Sequence, residues 1–112
     1  MNTKIEYMYR DASNYKQFNE VVVEGEHTAD DKSFIMGCLD DYADGFIPQQ
    51  VGLPALQKQM VGFPNEDDHC WHELEEIELT NEAPTIQMTM KELIKKFKEA
   101  KEVSWDDLTY AL

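Results

Sequence analysis

The sequence predicts a small α+β domain, in which an antiparallel sheet of about three strands carries two main helices on one face. Three observations predict it: strand-like alternation near the N-terminus, three consecutive valines, and an amphipathic helical pattern near the C-terminus. The predicted order of elements is β-β-α-(α)-β-α. With 112 residues the chain has room for one domain, which we expect to span residues 1–112.

Two strands are predicted in the first quarter of the chain. Residues 4–10 alternate, with Ile5, Tyr7 and Tyr9 on one face and polar or flexible side chains on the other. Residues 18–24 contain the valine run, whose β-branching favours an extended backbone. We expect these strands to pair antiparallel. The polar loop between them leaves Tyr15 as the aromatic side chain best placed for exposure and recognition.

Two helices are predicted from their caps and their apolar spacing. Thr28 is a typical N-cap for a helix over about 29–42, with Gly45 beyond its end. Its apolar stripe comprises Phe34, Ile35, Cys38, Leu39 and Tyr42. Thr89 and Glu92 form a capping box for a helix over about 90–101. Its apolar face comprises Met90, Leu93, Ile94, Phe97 and Ala100.

The third strand is predicted over residues 71–79, but its alternation is imperfect. Trp71, Ile77 and Leu79 share one parity, while His72, Glu76 and Glu78 take the other. Leu74 breaks this pattern, which indicates a bulge or a strand start near residue 73. Before this strand, the loop over 46–54 carries apolar side chains that we expect to pack on the core, and residues 55–60 are consistent with a short helix.

The charge of the chain is strongly negative and bears on its partners. The formal net charge is −13, from 23 acidic and 10 basic residues. Such a molecule repels phosphate backbones and anionic membrane surfaces, so we expect neither direct nucleic-acid binding nor membrane association. No apolar run approaches the roughly 20 residues of a membrane span, and the N-terminus lacks the apolar segment of a signal peptide. A cytoplasmic location is the expectation.

The segment DDHCWHE, residues 67–73, is the strongest candidate for metal chemistry. His69, Cys70 and His72 are residue types that bind zinc, and a metal-binding protein or small metalloenzyme is the alternative function. In an extended chain, however, His69 and His72 point to opposite faces. A structural zinc site also needs four ligands, and no second Cys/His pair exists. We therefore expect no cofactor, and a loop with half-exposed histidines leading into a strand.

Catalytic motifs are absent from the sequence. A neighbouring imidazolium could activate the Cys70 thiol, but adjacent residues of a strand face away from each other. Cys38 lies on an apolar helical stripe and is interpreted as a core residue. The sequence contains no phosphate-binding glycine loop and no nucleophile elbow. This favours a protein that is not an enzyme without deciding the question.

Two stretches of the sequence carry a resemblance. YMYRDASNYK (7–16) and DDHCWHE (67–73), with FIPQQVGLP (46–54) between them, resemble a group of short uncharacterised bacterial proteins of about this length. The resemblance implies a bacterial or phage origin. It implies no catalytic or binding residue.

The leading functional hypothesis is a protein-binding module whose acidic surface docks a basic partner. Residues 66–82 contain eight acidic side chains and no Lys or Arg. Carboxylates along a strand could imitate nucleic-acid phosphates, and so inhibit a DNA- or RNA-binding protein. The predicted contact residues are Glu66, Asp67, Asp68, Glu73, Glu75, Glu76, Glu78 and Tyr15. A further alternative is a homo-oligomer that forms through helices or edge strands.

Overall fold

Three antiparallel strands form one sheet with the order β2-β1-β3. The computed structural model describes residues 1–60, 63–64 and 68–110. The strands are β1 (Asn2–Arg10), β2 (Lys16–Val23) and β3 (His72–Thr80). Helices α1 (Ala29–Cys38) and α2 (Met90–Val103) contact each other, and 3₁₀ turns occur at Pro48–Val51 and Gln57–Gln59. The predicted α+β class and order of elements are confirmed.

The core lies between one face of the sheet and the helices. Ile5, Tyr7 and Tyr9 of the central strand are buried, as their alternation predicts. The loop over 46–54 packs on them, since Phe46 and Ile47 are completely buried. The remaining large members of the cluster are Val21, Val23, Ile35, Val51, Leu53, Leu56, Ile77, Met90, Leu93 and Phe97. We call this surface of the sheet the core face.

Both helices begin where their caps predict, but α1 ends earlier than expected. Thr28 and Asp31 form a complete capping box. The predicted Thr89–Glu92 box is only half formed, because the Thr89 hydroxyl accepts the Glu92 N–H, whereas the Glu92 carboxylate accepts from that hydroxyl and not from the Thr89 N–H. The prediction that α1 extends to residue 42 is wrong, because the chain turns extended at Leu39. The Asp40 carboxylate then accepts two backbone N–H groups of a tight turn. Tyr42 is consequently fully exposed.

Gly45 allows a close backbone approach and does not mark the end of a helix. Phe46 and His72 exchange two backbone hydrogen bonds, of 3.0 and 2.8 Å, in an isolated antiparallel bridge. A Cβ atom at Gly45 would collide with the His72 carbonyl oxygen. Glycine is therefore required here for steric reasons. The bridge attaches the 46–54 loop to the start of β3.

A bulge in β3 decides which of its side chains face the core. Glu6 pairs with Glu76 and Tyr7 pairs with Leu74, so Glu75 is the extra residue. The expected bulge is present, slightly beyond the predicted position. On the far side of it, His72 and Leu74 share a face with Tyr9 and Tyr7. The prediction that His72 lies on the glutamate face is therefore wrong.

The segment that follows β3 reaches the outer edge of β2. Thr85 bonds to both backbone groups of Val22, and the carbonyl of Met88 accepts the Glu24 N–H. Met90 then donates to the Glu24 carbonyl at the start of α2. This crossing covers the last part of β2 and leaves its first part uncovered.

Candidate protein-binding face

The face of the sheet opposite the helices carries most of the strand carboxylates, and we call it the open face. On it Glu6 lies between Glu20 of β2 and Glu76 of β3, and Lys4 lies opposite Glu78. Met8 pairs with Phe18 and Glu73 on the same face. The acidic side chains on it are Glu6, Glu20, Glu73, Glu75 and Glu78, and the basic ones are Lys4, Arg10 and Lys16. The open face is thus predominantly acidic.

A cavity of about 540 Å³ lies on this face near its centre. Glu6, Glu20 and Glu75 line it together with Phe18, Tyr7 and Asn19. Because Glu75 is the extra residue of the bulge, it adds a carboxylate that regular alternation would not place there. The Phe18 side chain is 63% exposed beside these carboxylates. Three acidic groups and an aromatic ring therefore surround one concave, solvent-accessible site.

Basic side chains from other elements neutralise part of the acidic run. Arg10 contacts the Glu73 carboxylate with two nitrogens, at 2.9 and 3.5 Å. Lys32 of α1 bonds to Glu76 at 2.6 Å, and this hydrogen bond is the main reason that the pKa of Glu76 is lowered. Lys4 pairs with Glu82, which raises the pKa of the amine and lowers that of the carboxyl. By contrast, neither Glu6 nor Glu75 has an ion pair within the described residues.

The predicted contact residues do not all share one surface. Glu73, Glu75 and Glu78 lie on the open face, whereas the Glu76 carboxylate turns to the outer edge of β3 and accepts the Ile77 N–H. Asp68 is half-buried and accepts a 2.8 Å hydrogen bond from the hydroxyl of Tyr9. Tyr15 is exposed, as expected, and lines a second cavity with Lys16 and Met60. Glu66 and Asp67 lie outside the described residues.

The contact residues predicted from the sequence include neither Glu6 nor Glu20, although both line the cavity. These two residues lie opposite each other on neighbouring strands, so only strand pairing reveals the cluster. The alternation of β1 placed Glu6 opposite the core side chains. A signal for Glu20 exists in the same way, because it alternates with Val21 at the polar end of the valine run.

His72 is a structural histidine of the core face. Its side chain is almost completely buried, contrary to the half-exposed position expected from sequence. The Leu56 N–H donates to Nε2 at 3.0 Å, and Nδ1 donates to the Cys70 carbonyl at 2.9 Å. Burial lowers the pKa of His72 to about 4, so the ring is neutral at pH 7. Both of its nitrogens are used by the backbone.

Both ring nitrogens of His69, which precedes β3, are likewise hydrogen-bonded to the backbone. The Trp71 N–H donates to Nδ1 at 3.0 Å, and Nε2 lies 2.7 Å from the Arg10 carbonyl, to which it donates. The ring also packs on Tyr9, with centroids 4.9 Å apart. Neither histidine therefore presents an unused nitrogen lone pair to a metal ion.

Cys70 is buried and held in its thiol form. Burial is the main reason that its pKa rises to about 11, which disfavours the nucleophilic thiolate. Its Sγ lies 4.0 Å from the Asp107 carbonyl oxygen. Cys38 is also buried, and both cysteines are free thiols. Across residues 1–60, 63–64 and 68–110, no three His, Cys, Asp or Glu side chains are grouped as a metal site requires.

Comparisons with known proteins give no match of any kind. No family model matches the chain, and no curated protein or solved structure does so. The resemblance to short bacterial proteins stays a prediction. Neither helix of the described residues has the length and apolar character needed to cross a membrane.

Proposed function

We propose that this protein is a non-enzymatic protein-binding module whose open face docks the basic surface of a partner. The observation that carries the proposal is the cavity between Glu6, Glu20 and Glu75. Two of these carboxylates lack an ion pair within the described residues, and all three are held on neighbouring strands. Carboxylates held on adjacent strands repel each other, and contact with a basic partner would reduce that repulsion.

The geometry of the face also supports imitation of nucleic-acid phosphates. Backbone positions two residues apart on a strand are separated by about 6.8 Å, and neighbouring strands lie about 4.8 Å apart. The open face therefore presents the carboxylates of Glu6, Glu20, Glu75 and Glu78 as one group of negative charges to a surface that binds phosphates. We infer that the partner is a DNA- or RNA-binding protein and that docking excludes its nucleic acid. Such binding is fast and decreases with salt.

A capture experiment with matched variants tests the proposal. The full chain is immobilised as wild type, as Glu6→Gln/Glu75→Gln/Glu78→Gln, and as the control Asp41→Asn/Glu99→Gln/Glu102→Gln, which removes three charges elsewhere. Bacterial lysate is applied at about 50 and 500 mM salt, and bound proteins are identified by mass spectrometry. We expect nucleic-acid-binding proteins at low salt on wild type and control.

The open-face variant should lose those proteins, and added duplex DNA should displace them from the wild type. Circular dichroism of both variants should match the wild type, since replacing surface carboxylates by amides of the same shape changes stability little. Equal capture by the open-face variant and the control would refute the docking face. Capture that does not change with salt would refute its electrostatic basis.

A further inference from the structure

The outer edge of β2 is covered in one half and uncovered in the other. Val22 and Glu24 direct their backbone N–H and C=O groups outward, where the segment around Thr85 and Met88 satisfies them. The pairing of β2 with β1 is regular over its whole length. By alternation, Lys16, Phe18 and Glu20 therefore direct their backbone groups to the same outer side. Within the described residues these groups have no backbone partner there.

The side chains along this uncovered edge are complementary to themselves. In an antiparallel two-fold arrangement centred on Phe18, each Phe18 lies opposite its own copy. Lys16 lies opposite Glu20 of the second copy, and the reverse holds on the other side of the axis. Gln17 lies opposite Asn19, which pairs two amide side chains. A single strand thus contains opposite charges, an aromatic pair and amides at matching positions.

We propose that a second copy of this chain pairs with the uncovered edge of β2 through residues 16–20. The two sheets then join into one antiparallel sheet across a two-fold axis. Phe18 and its copy exchange both backbone hydrogen bonds, and so do the Lys16–Glu20 pairs. The interface is isologous and therefore closes at a dimer.

Neighbouring registers are less favourable for reasons visible in the structure. Centring the axis on Asn19 would place Lys16 opposite Val22, whose backbone groups are already bonded to Thr85. Centring it on Glu20 would oppose two carboxylates directly. Centring it on Gln17 would place Glu20 opposite Asn14, which has a positive φ of 68° in the turn. Only the Phe18-centred register uses every outward-facing residue of the free edge.

The size and charge of this interface predict a weak dimer that salt strengthens. About five residues from each copy contribute, which is less than a standard interface buries. Each copy carries a formal charge of −13, so long-range repulsion opposes association at low ionic strength. The proposed docking of a basic partner has the opposite salt dependence. The two proposals can therefore fail independently.

Sedimentation velocity with a charge exchange tests the dimer. The full chain is measured from about 5 to 500 μM at low and moderate salt, as wild type, Lys16→Glu, Glu20→Lys and the double variant. Each single variant creates two like-charge contacts per dimer, so its dissociation constant should rise about tenfold. The double variant restores both opposite-charge contacts and should return to within about threefold of wild type.

A monomer throughout the concentration range would overturn the proposal. So would a dimer that ignores the single substitutions, because it would form through another surface. Failure of the double variant to recover would overturn the stated register.

Cysteine cross-linking provides a second measurement of the same register. Hydrogen-bonded antiparallel pairs have Cα atoms about 5.5 Å apart, within the range that a disulfide spans. Phe18→Cys should therefore form a linked dimer under mild oxidation. Tyr42→Cys, at a fully exposed position, serves as the control and should stay monomeric. Equal cross-linking of the two variants would contradict the pairing at residue 18.

Discussion

The two faces of the sheet use polar side chains in opposite ways. On the core face, His72 is buried and each ring nitrogen has one backbone partner. On the open face, Glu6 and Glu75 are held near each other with no ion pair in the described part of the chain. The buried polar side chain of the core face is thus satisfied by the backbone, whereas two carboxylates of the open face form no ion pair within the described residues.

The sequence points first to the His/Cys segment as a candidate site, but the structure points to the glutamates of the strands. The segment from Asp67 to Glu73 contains the residue types that most often bind metals or act as catalysts. Its two histidines instead form hydrogen bonds to the backbone that attach a loop to the sheet. The glutamates of β3 are chemically ordinary, yet strand pairing gathers three of them with carboxylates of β1 and β2. Residue type alone is therefore a poor guide to the site in this protein.

The largest expected effect is a difference in stability between substitutions on the two faces of β3. We expect His72→Ala to lower the free energy of unfolding by about 3–5 kcal/mol, because it opens a cavity and leaves the Leu56 N–H and the Cys70 carbonyl unpaired. Glu75→Ala, on the other face, should change it by less than about 0.5 kcal/mol. Urea unfolding followed by tryptophan fluorescence measures both. Similar losses for the two variants would contradict the contrast.

The next effect is a dependence of stability on pH that belongs to His72. Its folded pKa of about 4 lies below the unfolded value of about 6.5, so the unfolded chain binds more protons between these pH values. The contribution of neutral, buried His72 to the free energy of unfolding is therefore fully present above pH 6.5 and is lost as the pH falls towards 4. Its size is about 3 kcal/mol.

Urea midpoints of the wild type at pH 7.5, 6 and 5 should show this decrease. His72→Gln should show a clearly smaller one, because glutamine does not titrate. The open-face variant Glu6→Gln/Glu75→Gln/Glu78→Gln should retain the wild-type decrease over this interval. An unchanged decrease in His72→Gln would assign it to other groups.

The smallest effect compares two glycines with different surroundings. Gly45→Ala should destabilise the fold by about 2 kcal/mol, because its Cβ would collide with the His72 carbonyl oxygen. Gly37 lies in α1, and a Cβ added there would meet no atom within 4 Å, so Gly37→Ala should stabilise by about 0.5–1 kcal/mol. Thermal unfolding distinguishes the opposite signs. A loss of stability in both variants would remove the steric explanation for Gly45.

Local patterns predicted the elements well, and non-local contacts account for what they missed. The caps at Thr28 and Thr89 and the alternation of β1 depend on neighbours in sequence, and each is confirmed. The early end of α1 depends on Asp40 bonding within a turn that Gly45 closes. No periodicity encodes that closure. Strand order likewise depends on contacts between distant segments.

The candidate site was predicted in part for the same reason. The glutamates of β3 were identified from composition, and Glu73, Glu75 and Glu78 lie on the open face. Glu20 joins them only through the pairing of β2 with β1. The assignment of His72 to the polar face failed because a bulge changes the parity of a strand. Leu74, which breaks the alternation, was the trace of this bulge in the sequence, but it did not show on which side of the bulge His72 would lie.

The bulge has a consequence for chain length within β3. Because Glu75 has no partner on β1, its deletion would leave Leu74 opposite Tyr7 and Glu76 opposite Glu6. The shortened strand would alternate regularly, and all of its remaining side chains would stay on the faces where they now lie. Loss of a residue within a strand normally exchanges its two faces. Deletion of Glu75 would remove one carboxylate and reduce the local twist, but the pairing of β3 with β1 would be retained.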